Sequence, residues 1–316
     1  MTIRTMKSGL VSPRVLVGSL ALTCLVASTV GAPVGQWHFD EASGGTAANS
    51  AGGANGTLVG NAAFASGGVS GNCINLPTYT GGYVTMGNTY AIDANPEFSA
   101  SCWVRTTNTA DPLFAVSRHF TGIANGYMLG INSLGATYTN PQRGIFYVND
   151  APENVCRGTK QITDGQWHHV VGVYRFIGTG FIRELWIDGV REAANSAAGP
   201  NPHPTPSFMV GGVFFSSGGE GGLFQGQIDE VQVYDYAVTA ADIAGLRANP
   251  ASVAAPKQCF CDLNGDGQRN TADLVVFLGR FGVPATLGSA GDFNYDGAVN
   301  TADLTIFLGR FGLPCN

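Results

Sequence analysis

From Pro33 to about Ala248 the chain alternates short apolar-rich runs with turns of Gly, Asn and Pro. Runs with strand character include Tyr83 to Met86, Phe98 to Arg105, Tyr127 to Ile131, Gly144 to Val148, His168 to Arg175, Phe181 to Ile187 and Gln225 to Tyr234. Residues two apart share a strand face, so Phe98, Ala100, Cys102 and Val104 form one set and Val171 and Val173 another. Roughly a dozen such strands without a long helix predict a mainly β fold, a two-sheet sandwich or jelly roll. Asp188-Gly189 marks a hairpin turn. One short helix is expected from Thr239 to Leu246, with Thr239 as N-cap and Asp242 in its first turn. Residues 249–258 read as an Ala/Pro linker. Beyond it the apolar period changes. Leu274, Phe277, Leu278 and Phe281 fall at helical spacing, as do Leu304, Phe307, Leu308 and Phe311. Gly282 and Gly312 stand where helix C-caps belong, and Pro284 and Pro314 block continuation.

The two helical stretches belong to a repeat. DLNGDGQRNTADLVVFLGRFGVP begins at Asp262, and DFNYDGAVNTADLTIFLGRFGLP begins thirty residues later at Asp292. In the 15 residues from Asn270 and from Asn300 only three positions differ. The first copy places Asp262, Asn264, Asp266, Asn270 and Asp273 at loop positions 1, 3, 5, 9 and 12. The second places Asp292, Asn294, Asp296, Asn300 and Asp303 there. Gly267 or Gly297 occupies position 6, and Gln268 or Ala298 offers a backbone carbonyl at position 7. That is the calcium-loop grammar of an EF-hand, in which a hard cation takes six to eight oxygens from one tight turn. Position 12 is Asp where an EF-hand carries Glu, and only the helix after each loop is evident.

Two such loops, each followed by one helix, resemble the dockerin family over residues 259–316. The resemblance implies a small all-α domain holding two calcium ions, whose partner is a cohesin module on a scaffold or surface protein. Carried over by position, the contact surface is Thr271, Ala272, Thr301 and Ala302 with Arg280 and Arg310. Near-identity of the repeats implies that either could face the partner after a half-turn. Ligand carboxylates repel one another without metal, so the module is expected to fold only with calcium.

The larger region resembles the laminin-G-like, concanavalin A-like jelly rolls. The resemblance is carried by WHFDEASGGTAANSAGGANGTLVG, GYVTMG, FSASCWVRT, DGQWHHVVGVY, ELWIDGVRE and FQGQIDEVQVYDYAVTAADI, in that order. It implies that the first and last strands, around Trp37 and Val231, pair. Asp40 and Asp229 would then lie close enough to hold a structural calcium, or Asp229 would simply secure a turn. Sugar binding is the activity such non-catalytic domains imply, with Tyr79, Phe120, Tyr127 and Tyr138 as candidate stacking rings. Glucanases on this fold use Glu-x-Asp-x-x-Glu. Here Glu184 precedes Asp188 by four and Glu230 precedes Asp235 by five, so that spacing is missing. His168 and His169 are adjacent on a strand and point to opposite faces, which argues against one shared metal. Neither a Gly-x-Ser-x-Gly elbow nor HExxH occurs.

Composition sets the setting. Charged residues are only 12% of 316 and glycine numbers 45, as suits a turn-rich β protein. Arg4, Lys7 and Arg14, the apolar run Val15 to Ala27 and Val30-Gly31-Ala32 read as a secretory signal over residues 1–32. Its removal takes the net charge of −6 to −9 by deleting those three cations, which excludes a nucleic-acid partner. Cys73, Cys102, Cys156, Cys259, Cys261 and Cys315 remain, an even count that makes all six disulfide candidates in an exported chain. Cys102 is equally readable as a buried thiol, and Cys315 with Cys259 or Cys261 would clip the small domain. The combined expectation is a secreted, non-catalytic accessory protein that binds a glycan or protein surface and docks to a cohesin-bearing scaffold during polysaccharide breakdown. A dockerin-borne glycosidase and a cell-surface adhesion protein are the alternatives.

Overall fold

The computed structural model describes residues 33–313 except 79–80, 91–96, 110–111, 122–125, 132–141, 149–154, 178–179, 198, 200–206, 216–218, 255–260, 286–289 and 295. The proposed signal, Tyr79, Tyr138, Cys259, Pro314 and Cys315 lie outside the described residues, as does the end of the linker.

The chain forms β1 (Gly35–Trp37), β2 (Thr46–Ala47), β3 (Gly56–Gly60), β4 (Ala63–Ser66), β5 (Asn72–Leu76) and β6 (Gly82–Thr85). There follow β7 (Phe98–Arg105), β8 (Leu113–Arg118), β9 (Phe120–Thr121), β10 (Tyr127–Ile131), β11 (Arg143–Val148) and β12 (Val155–Gln161). Next come β13 (His168–Phe176), β14 (Phe181–Ile187), β15 (Val190–Ala197), β16 (Met209–Val210), β17 (Val213–Phe215), β18 (Glu220–Gly221) and β19 (Gly226–Tyr234). Helices α1 (Ala240–Ala248), α2 (Thr271–Leu278) and α3 (Thr301–Leu308) complete it.

One antiparallel sheet runs β15-β14-β13-β7-β19-β5-β4, with β1 also on β19; the other runs β12-β11-β10-β8-β16-β6-β3-β2. The two face each other as a sandwich, and Trp37 pairs with Val231 as the jelly-roll resemblance implies. Between the sheets lies the main core, to which Trp37, Phe98, Cys102, Phe146, Phe208 and Ile228 contribute. Strands β7, β8, β10 and β13 are buried at nearly every position because both of their faces are covered. On the outside of the first sheet, α1 closes a second cluster of Val171, Val173, Trp186, Tyr234, Ile243 and Leu246. Over the other sheet, Val213 of β17 packs on Phe114, Met128 and Tyr147. The shared face of Val171 and Val173 is therefore the outer one. Helix α1 is capped as expected: Thr239 accepts from the Asp242 N–H, and the Asp242 carboxylate accepts from the Thr239 N–H at 2.8 Å.

On β14 a buried charge is paired. Glu184 is fully buried and accepts from Arg191 at 2.9 Å and from the Trp186 indole at 3.4 Å, with Arg175 at 3.6 Å. At the β14–β15 turn Asp188 (φ 50°) and Gly189 (φ 80°) take left-handed backbone, as a two-residue hairpin requires. The Asp188 carboxylate accepts from the His169 N–H at 2.9 Å and holds His168 Nδ1 at 2.8 Å, while Asp164 meets His168 Nε2 at 3.0 Å. Burial acts against ionised His168, but the hydrogen bonds to Asp188 and Asp164 win and raise its pKa. Burial likewise opposes ionised Asp188, and bonds from His168 and Lys160 pull its pKa down. The imidazolium stabilises the fold below its ordinary value of 6.5 and loses that effect as pH rises through the raised value; the carboxylate contributes above 3.8 and loses it as pH falls. Asp188→Asn keeps the turn but removes the charge. It should cost about 2 kcal/mol near pH 5.5 and clearly less near pH 8.5, as read by urea unfolding at both values.

Cys73 and Cys156 are not joined in disulfides, and Cys102 is the buried thiol that its strand position equally allows. Cys73, Cys102 and Cys156 are separate buried thiols on β5, β7 and β12. Cys102 lies in the apolar core, whereas the Cys156 thiol donates to the Arg183 carbonyl at 3.1 Å. Cys261 is buried as well, and Cys315, the partner proposed for it, lies outside the described residues.

Candidate functional site

The C-terminal repeats build two matching loops. In the first, the Asp262 carboxylate accepts from the N–H groups of Gly265, Asp266 and Gly267 at 2.8, 3.2 and 2.8 Å, which folds the loop around it. Asp273 accepts from the N–H groups of Leu263, Asn264 and Asn270 at 2.7, 3.1 and 2.9 Å. In the second, Asp292 accepts from Asp296 and Gly297 at 3.0 and 3.1 Å, and Asp303 from Phe293, Asn294 and Asn300 at 2.7, 3.1 and 2.9 Å. Gly267 (φ 81°) and Gly297 (φ 86°) take the left-handed backbone that position 6 needs. Each loop thereby brings together three carboxylates, Asp262, Asp266 and Asp273 or Asp292, Asp296 and Asp303, with one oxygen of each inside 4.8 Å of the others.

Asn270 and Asn300 cap α2 and α3, each side chain accepting from the N–H two residues on at 2.7 Å. Asn264 and Asn294 turn their amide nitrogens onto Asp266 and Asp296 at 3.0 and 2.8 Å. Burial of Asp273 and Asp303 is complete and that of Asp292 nearly so. Burial, reinforced by the charges of Asp303 and Asp296, raises the Asp292 pKa. Three packed carboxylates of one sign in each loop fit a hard divalent cation that takes oxygen ligands.

The repeats bond reciprocally. The Gly282 N–H donates to the Val299 carbonyl at 2.8 Å, and the Gly312 N–H to the Arg269 carbonyl at 2.7 Å. Phe277 and Phe307 stack at 5.8 Å between them, joined by Phe293. The helices end earlier than the glycine pattern predicts, at Gly279 and Gly309, with Gly282 and Gly312 closing the turn beyond. The apolar stripe also divides. Phe277 and Phe307 are fully buried, whereas Leu278, Phe281, Leu308 and Phe311 are exposed together with Val275, which is 69% exposed. Of the apolar positions at helical spacing, the two eight-residue helices seal only Phe277 and Phe307 completely between them. Thr271, Ala272, Thr301, Ala302 and Arg280 are exposed beside them. Arg310 is half-buried and lies 4.7 Å over the Phe176 ring at the end of β13, so the two arginines are not equivalent.

In the sandwich, Asp229 sits at a bulge in β19 and Glu230 follows with φ 48°. One loop bridges the two acids singled out in sequence: Asp229 accepts from Val69 and Ser70 at 2.8 and 3.2 Å, and Asp40 from Asn72 at 2.8 Å. Burial pushes the Asp229 pKa up to about 8, although three backbone N–H groups pull it down. Glu230 holds His38 at 2.7 Å. Among the described residues Asp40 and Asp229 form no three-donor group of the kind the C-terminal loops show. His169 is buried, bonded to Ser101 at 2.8 Å and stacked on Trp103, with burial lowering its pKa to about 4. A Ser–His pair sealed in this way is structural. Tyr127 is wholly buried in the core, which removes it as a sugar-stacking ring; the Phe120 side chain lies outside the described residues.

A polar cleft of about 420 Å³ opens where β5 and β7 end and β19 begins. Its wall is an amide relay that sequence reading missed, because Asn108 and Gln225 are far apart in the chain. Gln225 donates to the Pro77 carbonyl at 3.1 Å and accepts from Asn108 at 2.7 Å.

The laminin-G model of the concanavalin A-like lectin/glucanases superfamily matches residues 78–244, more than half of the chain. The chain belongs to that superfamily. No curated protein matches it. Among solved structures, domain 4 of the extracellular GH43 arabinanase AbnA from Geobacillus stearothermophilus, in complex with arabinotriose, superposes with a TM-score of 0.50 at 19% identity, covering 69% of this chain and 98% of that one. The binding domain of Paraclostridial Mosquitocidal Protein 1 superposes with a TM-score of 0.50 at 12% identity, covering 68% of this chain and 52% of that one. The chain thus spans about half of the mosquitocidal domain, and both likenesses are of fold.

Proposed function

We propose that this superfamily member is a secreted, non-catalytic accessory protein: its sandwich binds carbohydrate, and its last repeats form a calcium-loaded dockerin that docks on a cohesin-bearing scaffold in polysaccharide breakdown. The observation that carries the reading is the matched pair of loops, each gathering three carboxylate oxygens within 4.8 Å beneath an exposed apolar helix face. Asp262, Asn264, Asp266, Asp273 and the Gln268 carbonyl would hold one ion; Asp292, Asn294, Asp296, Asp303 and the Ala298 carbonyl the other. Asn270 and Asn300, already N-caps, would act through their second lone pairs or a water. Calcium supplies the positive charge that lets these acids pack. The chain's own residues do the rest: Phe277, Phe293 and Phe307 join the repeats, and Val275, Leu278 and Leu308 enlarge the docking face around Thr271, Ala272, Thr301 and Ala302. Arg280 stays outward to meet the partner, whereas Arg310 on Phe176 makes the two docking orientations unequal.

The domain order is a signal over 1–32, a jelly roll over 33–248, a linker and the dockerin over 259–316. Among the described residues no helix is long and apolar enough to cross a membrane. Support for sugar binding comes from the arabinanase domain, which was solved with arabinotriose. A glycosidase reading is less favoured because Glu184 is engaged by arginines and Glu230 by His38.

The test is binding of the full chain to a panel of immobilised cohesin modules with calcium and with chelator. Calcium-dependent capture by at least one cohesin is expected, and Val275→Asp with Leu308→Asp should weaken it at least tenfold. Capture that is indifferent to calcium, or absent across the panel, overturns the docking half. Release of reducing sugar from a polysaccharide panel would instead favour the glycosidase.

A further inference from the structure

We infer that the cleft between Leu76-Pro77, Thr106–Thr109 and Gln225-Gly226 is the recognition site for an uncharged, hydroxyl-rich oligosaccharide. The inference rests on the carbohydrate-binding reading above and names where and what the sandwich binds. The cleft's volume of about 420 Å³ falls in the range of small-ligand sites, about 300–1,000 Å³. None of its lining side chains is ionisable. An anionic or cationic ligand would find no counter-charge there, whereas hydroxyl groups, which both donate and accept, match amides and threonines.

The polar wall is held in place before any ligand arrives. The Gln225 amide bridges the Pro77 carbonyl at 3.1 Å and Asn108 Nδ2 at 2.7 Å. Thr106 Oγ1 donates to the Gln225 carbonyl and accepts from the Asn108 N–H at 2.9 Å. These bonds set which end of each amide faces the cleft, so a ligand need not order them, and preorganisation of this kind favours affinity. Gly226 makes the geometry possible. At φ 142° it lets β19 run so close to β7 that a Cβ would lie 2.3 Å from the Arg105 carbonyl. Next to the cleft, the loop carrying Trp167 is tied to β7 by the Gly165 N–H on the Thr106 carbonyl at 3.0 Å. Arg105 lies 4.9 Å over that ring and donates to Gln227 at 2.6 Å, so its guanidinium is engaged outside the cleft lining. Thr107 and Thr109 are exposed at the mouth and leave it open to a chain end.

The full-length protein in calcium would be titrated with labelled neutral hexasaccharides of glucan, xylan, mannan and arabinan types, and with oligogalacturonate as the charged control. At least one neutral oligosaccharide is expected to bind, with oligogalacturonate at least tenfold weaker. Asn108→Ala, which removes the amide with its bond to Gln225, and Thr109→Trp, which fills the mouth without deleting an internal bond, should each reduce that binding at least tenfold, the second at an unchanged unfolding midpoint. Neutral binding that survives both substitutions overturns the inference and leaves the carbohydrate-binding reading standing, with its site elsewhere. Preference for oligogalacturonate overturns the assigned ligand class. Failure of the unaltered protein to bind any of these sugars defeats the reading and the inference together.

Discussion

Chelation is expected to melt the C-terminal repeats and leave the sandwich folded. Helices α2 and α3 have eight residues each, too short to persist in water by themselves. Their mutual core is small, centred on Phe277, Phe293, Val299, Ile306 and Phe307. Against it stand six clustered carboxylates, three of them buried. A cation bound only by the folded form, at one hundred times its Kd, adds about 2.7 kcal/mol per site. Two such sites exceed what a core of this size supplies. Far-UV circular dichroism should therefore lose its helical part with chelator, while β signal and buried-tryptophan fluorescence stay. Calorimetry should count two ions, and Asp292→Ala should abolish one of them. Helix that persists in chelator, or a titration with no heat, would remove calcium from the account.

Glu184→Ala should be the most damaging single change in the sandwich. Glu184 has no exposed surface and is the shared acceptor for Arg191, Arg175 and Trp186 on the outer side of the first sheet. Its loss leaves buried or nearly buried guanidinium groups facing one another, at a cost of about 3–5 kcal/mol. Glu184→Gln keeps the shape and one acceptor oxygen, so its loss should be smaller. Urea unfolding of both variants, compared with the parent, measures the difference. A change below about 1 kcal/mol for the alanine would mean that the arginines find other acceptors, and would free Glu184 for another role.

Much of the fold was legible because strand faces are written locally. Phe98, Ala100, Cys102 and Val104 occupy one face of β7, and Thr239 caps α1. The Asp188-Gly189 turn also follows the sequence, whereas the Trp37–Val231 pairing is implied only by the jelly-roll resemblance. Strand β10 shows where such reading stops. Tyr127 sits beside a turn and reads as a rim aromatic, yet it points between the sheets against Phe98 and Phe208, while Met128 on the opposite face of β10 is covered by Val213 of β17, so the strand is buried throughout. The helical stripe of the repeats misleads in the opposite sense. Period alone cannot say how wide a face the partner helix covers, and here only Phe277 and Phe307 reach full burial.

The sequence by itself determined the period-two strands, the duplicated acid spacing and the helices that follow it, because each depends on residues within one turn or one loop. Tertiary structure alone decided which cysteines stay apart, that Asp40 and Asp229 meet one loop, and that Asn108 and Gln225 become a single wall. Those outcomes depend on segments distant in the chain, up to 160 residues apart for Val69 and Asp229, being placed by sheet order, and sheet order is a property of the whole packed sandwich.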